Sequence, residues 1–208
     1  MSDKNTVIVN TTQDTVTDLV SANWSTLIKP TEYKEDSLNE NTSVFRIEPL
    51  ERGYGVSLAN SLRRILLSSL RGAAISSIKI EGADHEYSSL PGVMEDVTDM
   101  ILNIKKVVLR YSGIESRRLK LNATGPCTVT AGMIETTNDL EIVNKDHVIC
   151  HLDKDAKINI DMTAETGKGY KSANENKAED MPLGVVAIDS IFTPIRRVTF
   201  KIENSRVG

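Results

Sequence analysis

Residues 56–70, VSLANSLRRILLSSL, constrain this chain more than any other stretch. Projected at about 100° per residue, Ile65, Leu58, Leu62, Leu66, Ala59, Leu70, Val56 and Leu67 spread over an arc of about 200°. A surface helix facing one core needs a stripe of only about 100°. Ser57, Ser61, Ser68 and Arg64 make up the narrow polar face. A helix apolar over more than half its girth buries two sides. Either it is sandwiched inside one large core, or its outer side is a subunit interface. Arg63 falls within the apolar arc, and a guanidinium is the cation best suited to a half-buried bidentate contact.

The residues leading into this helix invite a different reading. Gly53 and Gly55 supply the first two positions of G-x-G-x-x-G, but the third is Leu58. The dinucleotide fingerprint needs that third glycine for close helix–strand packing. The glycines therefore read as a tight bend into the helix. TGKG at residues 166–169 likewise lacks the upstream glycine and the Ser or Thr after Lys of a Walker loop.

Charge bounds the partners. The 208 residues carry 25 Lys+Arg against 29 Asp+Glu, a formal net charge of -4. No whole-chain positive field pulls it onto nucleic acid or an anionic membrane, so any nucleic-acid role is expected to be indirect. Cys127 and Cys150 are too few for a disulfide framework, which fits a reducing cytoplasm. The first twenty residues lack a secretory pattern, and no stretch approaches the ~20 apolar residues of a membrane span. The expectation is a soluble, cytoplasmic protein.

Along the chain, residues 1–22 read as a flexible N-terminal extension, and the segment around Trp24 as a short docking element. Residues 31–41 read as a polar stretch. SVFRIEPL alternates as a strand, and AAISSIKIEG as another ending at Gly82. SSLPGVMEDVTDMILNIKKV predicts a second helix with Val93, Val97, Met100, Ile101 and Ile104 on one stripe, Ser88 or Ser89 as cap and Pro91 in the first turn. Between residues 106 and 165, short strands separated by Gly, Asn and Asp predict a β-rich subdomain. Residues 166–182 read as a long polar connection, followed by strand-like alternation. Helices and antiparallel strands in separate runs predict an α+β fold.

No catalytic constellation emerges. Asp146, His147, Cys150 and His151 are all possible metal ligands, but on a strand the two histidines point away from Cys150. A buried structural cysteine is the simpler reading. His85 beside Glu86 resembles an acid/base pair, yet neighbours on a strand diverge, and a solvated turn is expected. Gly167, Lys168 and Gly169 predict a flexible exposed loop anchored by Tyr170, with an ordinary hairpin turn as the alternative. Residues alone lead to an assembly or interaction protein. The rival is a small nucleotide-binding or acid/base enzyme using Gly53 and Gly55 or His85 and Glu86.

Residues 48–105, from EPLERGYGVSLANSLRRILLSSLRG to MILNIK, followed by GPCTVTAGMI, LEIVNKDHVICHL, TGKGY, PLGVVAIDSIFTPIRRV and KIENSRVG, add a further argument. In order and spacing they resemble the N-terminal assembly domain of the α subunits of bacterial DNA-directed RNA polymerases. The resemblance runs over about residues 23–208. It implies a discontinuous dimerisation subdomain with a long interface helix at 23–71 and 174–208, lacking its expected C-terminal helix, and an inserted β-rich subdomain at 72–173 contacting the large subunits. Such a chain is part of a nucleotidyltransferase yet holds no catalytic residue, metal or cofactor of its own. It forms a homodimer on which the β and β′ subunits assemble, and those subunits hold the catalytic Mg²⁺.

By motif position the resemblance places Leu58, Leu62, Ile65, Leu66 and Leu70 at the dimer interface. It places Arg63, Arg64, Leu67, Lys105, Gly167, Lys168, Gly169 and Tyr170 toward β and β′. It implies no direct contact with nucleic acid, membrane or small ligands, and a place in the cytoplasm, with the nucleoid. The family's usual T-L-G-N-A-L-R-R reads S-L-A-N-S-L-R-R at residues 57–64. Ala59 in place of Gly is expected to shift the crossing of that helix slightly.

Overall fold

The computed structural model describes residues 26–39, 41–178 and 180–204. The expected extension at 1–22 and the Trp24 segment lie outside the described residues. The chain divides into two units. One takes the described residues up to Ser61 and from Phe200 onward; the other is Leu62–Thr199.

In the first unit, β1 (Glu32–Asn39) pairs antiparallel with β2 (Thr42–Glu48). Strand β2 was expected from its alternation, whereas β1 lies in what reads as a polar stretch. It carries three charged residues in a row, Lys34, Glu35 and Asp36, and takes its strand form from its partner: Tyr33 sits opposite Ile47, and Glu35 opposite Phe45. Tyr33 and Phe45 stay 76% and 60% exposed, so ladder hydrogen bonds rather than burial define this strand. Helix α1 (Tyr54–Ser68) follows a turn at Gly53, whose φ of +85° suits glycine. At its start, a Cβ on Gly55 would touch Ile202 at 3.6 Å.

The second unit holds the sheet. Strands β3 (Arg71–Ile80), β4 (Leu109–Tyr111), β5 (Arg117–Thr124), β7 (Ile134–Glu135), β8 (Leu140–Ile142) and β10 (Lys157–Lys168) run in the order β7-β5-β10-β3-β4-β8. A seventh strand, β12 (Val185–Ala187), pairs with the far end of β3. Every pairing is antiparallel, as the α+β reading requires. Smaller ribbons join β6 (Cys127–Thr130) to β9 (Val148–Leu152), and β11 (Tyr170–Lys171) to β13 (Ser190–Ile191).

Period two explains which side chains enter the core. Ile158, Ile160, Met162 and Ala164 of β10 are buried with Leu119 and Leu121 of β5, while their neighbours stay outside. Strand β3 departs from that period. Opposite the Thr163–Ala164 step it carries one residue too many, so Ser77 and Ile75 are paired while Ser76 is bulged. The bulge lets Ile75, Ile78 and Ile80 all face inward although their spacing is three, then two. Buried Ser76 gives its carbonyl to the Ile188 N–H at 2.9 Å.

The second helix is shorter than its sequence stripe predicts. Helix α2 covers only Val97–Ile104, capped by Asp96, whose carboxylate accepts the Asp99 N–H at 2.7 Å. Neither Ser88 nor Ser89 caps it, and Val93 bridges to Leu152. Asp96 is the reason: its extended backbone, with φ of -76° and ψ of 170°, breaks the row just before Val97, while Gly92, with φ of +75°, turns the chain where a Cβ would lie 2.8 Å from Ala156 Cβ. Val97, Met100 and Ile104 then bury against β9 and the rest of one core cluster.

Residues 166–182 also hold more structure than a polar connection. Strand β10 runs on to Lys168, and a short helix α3 (Ala173–Asn176) starts at Ser172, whose N–H bonds the Glu175 carboxylate at 2.9 Å. The alternation expected after residue 183 yields β12 and β13, and no strand among residues 194–204.

Candidate functional site

Two features collect the residues singled out from sequence. The first is helix α1. None of its fifteen residues is buried. Leu62 and Ile65 are 40% and 51% exposed, Val56 is 51% exposed, and Leu58, Leu66 and Leu67 are half-buried, as is Leu70 just beyond the helix end. Arg63 and Arg64 are exposed. An apolar arc of this width left open to water is costly, because each fully buried Leu or Ile is worth about 1.5–3 kcal/mol.

The second feature is the corner where α1 ends. Chain segments 68–72 and 167–169 run side by side. Gly72 pairs with Gly167 and Arg71 with Lys168 in the β3–β10 ladder, and a Cβ on Gly169 would come within 3.4 Å of the Ser68 carbonyl. Both paired glycines are obligatory for packing. A Cβ on Gly72 would collide with the Phe192 carbonyl, and one on Gly167 would sit 2.7 Å from the Phe192 ring. Phe192 is buried, and its N–H donates to the Gly169 carbonyl at 2.8 Å. Thr193 Oγ1 meanwhile donates to the Leu66 carbonyl at 3.3 Å, satisfying one of the free carbonyls in the last turn of α1.

Gly167–Tyr170 is thus neither a flexible loop nor a hairpin turn. It is a one-residue corner at Gly169, with φ of +62°, between the end of β10 and the start of β11. Strand β11 leaves β10 to pair with β13, setting Tyr170 directly opposite Ile191, with the two 62% and 55% exposed.

Lys105, the residue after α2, joins this corner through Asp189. Its Nζ donates to Asp189 Oδ2 at 2.8 Å, and Asp189 Oδ1 accepts the Ala173 N–H at 2.9 Å. The Lys105 bond first, then the Ala173 N–H, hold the Asp189 carboxyl below the usual carboxylate range. Next to it, Asn176 Nδ2 donates to the Ile188 carbonyl at 2.7 Å and to Ser190 Oγ at 2.9 Å. Asp189 is the member that residue-by-residue reading missed. Its partner is 84 positions away, and only the fold brings the two together.

The remaining candidates do not converge. His85 Nδ1 meets Ser88 Oγ at 3.2 Å on an exposed turn, while the neighbouring Glu86 uses its backbone carbonyl to accept Thr98 Oγ1. His147 Nε2 bonds the Asn103 carbonyl at 2.9 Å, and His151 is gripped by Glu95, which takes its ring Nδ1 at 2.6 Å and its N–H at 2.7 Å. Cys150 is fully buried, and burial pushes its thiol up to about 12. Among the described residues no three His, Cys, Asp or Glu side chains gather as metal ligands would. Among them, too, no helix is long and apolar enough to cross a membrane.

Comparison with known proteins agrees with the mixed helix-and-sheet fold. The family described as RNA polymerase Rpb3/RpoA insert domain matches residues 78–193. The chain is 52% identical over 191 residues to the DNA-directed RNA polymerase subunit alpha of Rickettsia rickettsii (strain Sheila Smith). It is likewise 52% identical to that of Rickettsia akari (strain Hartford) and 50% to that of Rickettsia felis (strain ATCC VR-1525 / URRWXCal2). Each alignment covers 91% of this chain and 56% of the relative, so the chain spans little more than half the length of the curated proteins it matches. A family match over more than half the chain, together with this identity across its antiparallel α+β scaffold, establishes that the chain belongs to the DNA-directed RNA polymerase alpha subunits.

Proposed function

We propose that this chain is a non-catalytic assembly subunit, which dimerises through α1 and holds the β and β′ subunits of a polymerase. The observation that carries the reading is α1 itself: fifteen residues, an apolar arc of about 200°, and none of them buried. In the proposed dimer Leu58, Leu62, Ile65, Leu66 and Leu70 pack against a second copy, which supplies the second side that such a helix needs.

Arg63, Arg64, Leu67, Lys105 and the Gly167–Lys168–Gly169–Tyr170 corner face the large subunits. Support for grouping them comes from the corner, where the end of α1 abuts Gly169 and Asp189 ties Lys105 to the start of α3. Nucleotidyl transfer and its Mg²⁺ belong to the partners in this reading, and the chain works wherever the polymerase does, in the cytoplasm and on the nucleoid through the holoenzyme.

Arg64→Ala tests the assignment. Arg64 is exposed, so the variant is expected to keep its circular dichroism spectrum and lose co-purification with β. Recovery of β equal to that of the unsubstituted chain refutes the role.

A further inference from the structure

We infer that Arg71 and Lys168 form a two-cation clamp for an acidic–apolar segment of a large subunit, with Tyr170 and Ile191 supplying its apolar half. The inference rests on the assembly reading above and specifies the chemistry of the partner at the corner.

The starting point is a pairing that a sheet ordinarily avoids. Arg71 and Lys168 are direct cross-strand partners at the end of the β3–β10 ladder, so both side chains leave the same face. Like charges placed directly opposite destabilise a sheet. Both are exposed, and neither has a carboxylate partner among the described residues. Lys105 makes the contrast, since its carboxylate is supplied within the chain by Asp189. The chain as a whole has a net charge of -4, so two adjacent unpaired cations stand against the general field.

The backbone beneath the pair cannot splay to relieve the repulsion. The next rung, Gly72 opposite Gly167, is held against Phe192 so closely that neither position has room for a Cβ. The two side-chain stems are therefore held about 5 Å apart at Cβ, as for any opposed pair. From stems that close on one face, both side chains can reach a single carboxylate. One corner residue further on, Tyr170 and Ile191 form an exposed apolar pair, also in direct register. Charge complementarity thus selects a segment with an acidic side chain and an apolar one a few residues apart. A nucleic acid would use the cations and leave Ile191 without a partner.

The test uses the full chain and its own β and β′ subunits, with binding followed as a function of salt. In Arg71→Glu/Lys168→Glu we expect at least tenfold weaker capture of the large subunits, and in Arg71→Gln/Lys168→Gln an intermediate loss with a flatter salt dependence. The Gln variant is also expected to melt at a temperature equal to or above the unsubstituted chain, because it removes a repulsion; this checks that the fold survives. Unchanged capture by the double reversal, with Arg64→Ala still abolishing it, overturns the clamp and leaves the assembly reading standing. Failure of the unsubstituted chain to bind either large subunit overturns both. Binding of a 20-base-pair DNA duplex that the double reversal abolishes, without loss of β and β′ capture, assigns the pair to phosphate and also overturns the clamp.

Discussion

Asp189 uses its two oxygens on two different elements, Lys105 after α2 and Ala173 at the start of α3. Because its pKa is depressed by the Lys105 bond first, the stabilisation it provides is present above the ordinary carboxylate pKa. It is lost as pH falls from about 3.9 through the lower folded value. Asp189→Asn keeps an oxygen for the Ala173 N–H and removes the charge. It is expected to cost about 1 kcal/mol or less at pH 7, since both partners are half-exposed, and the difference should be smaller at an acid pH below the ordinary carboxylate value of about 3.9. Urea unfolding at the two pH values measures it, and equal differences at both would show that charge is not what Asp189 contributes. Lys105 was named through the family resemblance, by its place in LNIK, and its pairing within the chain was not part of that expectation. Asp189 was not, because a pair 84 residues apart leaves no local pattern.

Among the elements, α1 was the most legible and its environment the least. Periodicity reveals how wide an apolar arc is, but not which molecule covers it. Ile65 separates the possibilities: it lies on that arc and is 51% exposed, so Ile65→Glu leaves the packing of one copy nearly intact. Sedimentation is expected to show a dimer for the unsubstituted chain and a folded monomer for the variant. A variant that still sediments as a dimer would move the interface elsewhere. The shortened α2 and the overlooked β1 teach the complementary lesson. The stripe from Val93 onward is genuine as a row of apolar residues, yet the extended backbone at Asp96 uncouples Val93 from the helix, and Val93 bridges to Leu152 instead. In α3, the S-x-x-E pattern at Ser172 and Glu175 was available and was masked by the polarity around it.

At the scale of the whole molecule, burial is distributed unevenly. Among the described residues every buried one lies between Ala74 and Phe192, and the described part of the first unit contributes none. A two-stranded ribbon and half a helix without a core are marginal by themselves in water. Hydrogen exchange is therefore expected to be slow in β3, β5 and β10 at every protein concentration. Amides of residues 26–61 should exchange fast in dilute solution and gain protection as concentration rises. Concentration-independent protection of that region would mean that it finds its missing core within one copy. The β-rich character of the second unit was readable from alternation and turn residues. Its strand order was not, because it depends on pairings between distant segments.

The central ladder, β3 against β10, joins residues 71–80 to residues 160–168. During synthesis it cannot close until the ribosome has released the chain through Lys168. At about 5–20 residues per second, the hundred residues between Ser68 and Lys168 take on the order of 5–20 s to emerge. For that interval α1 is already outside the ribosome, while the β10 strand and the Gly169 corner that receive its C-terminal end do not yet exist. The order of elements along the gene thus sets a waiting period in which the last turn of α1 lacks the strand and the corner that it packs on, and its apolar arc is most open to water during that interval.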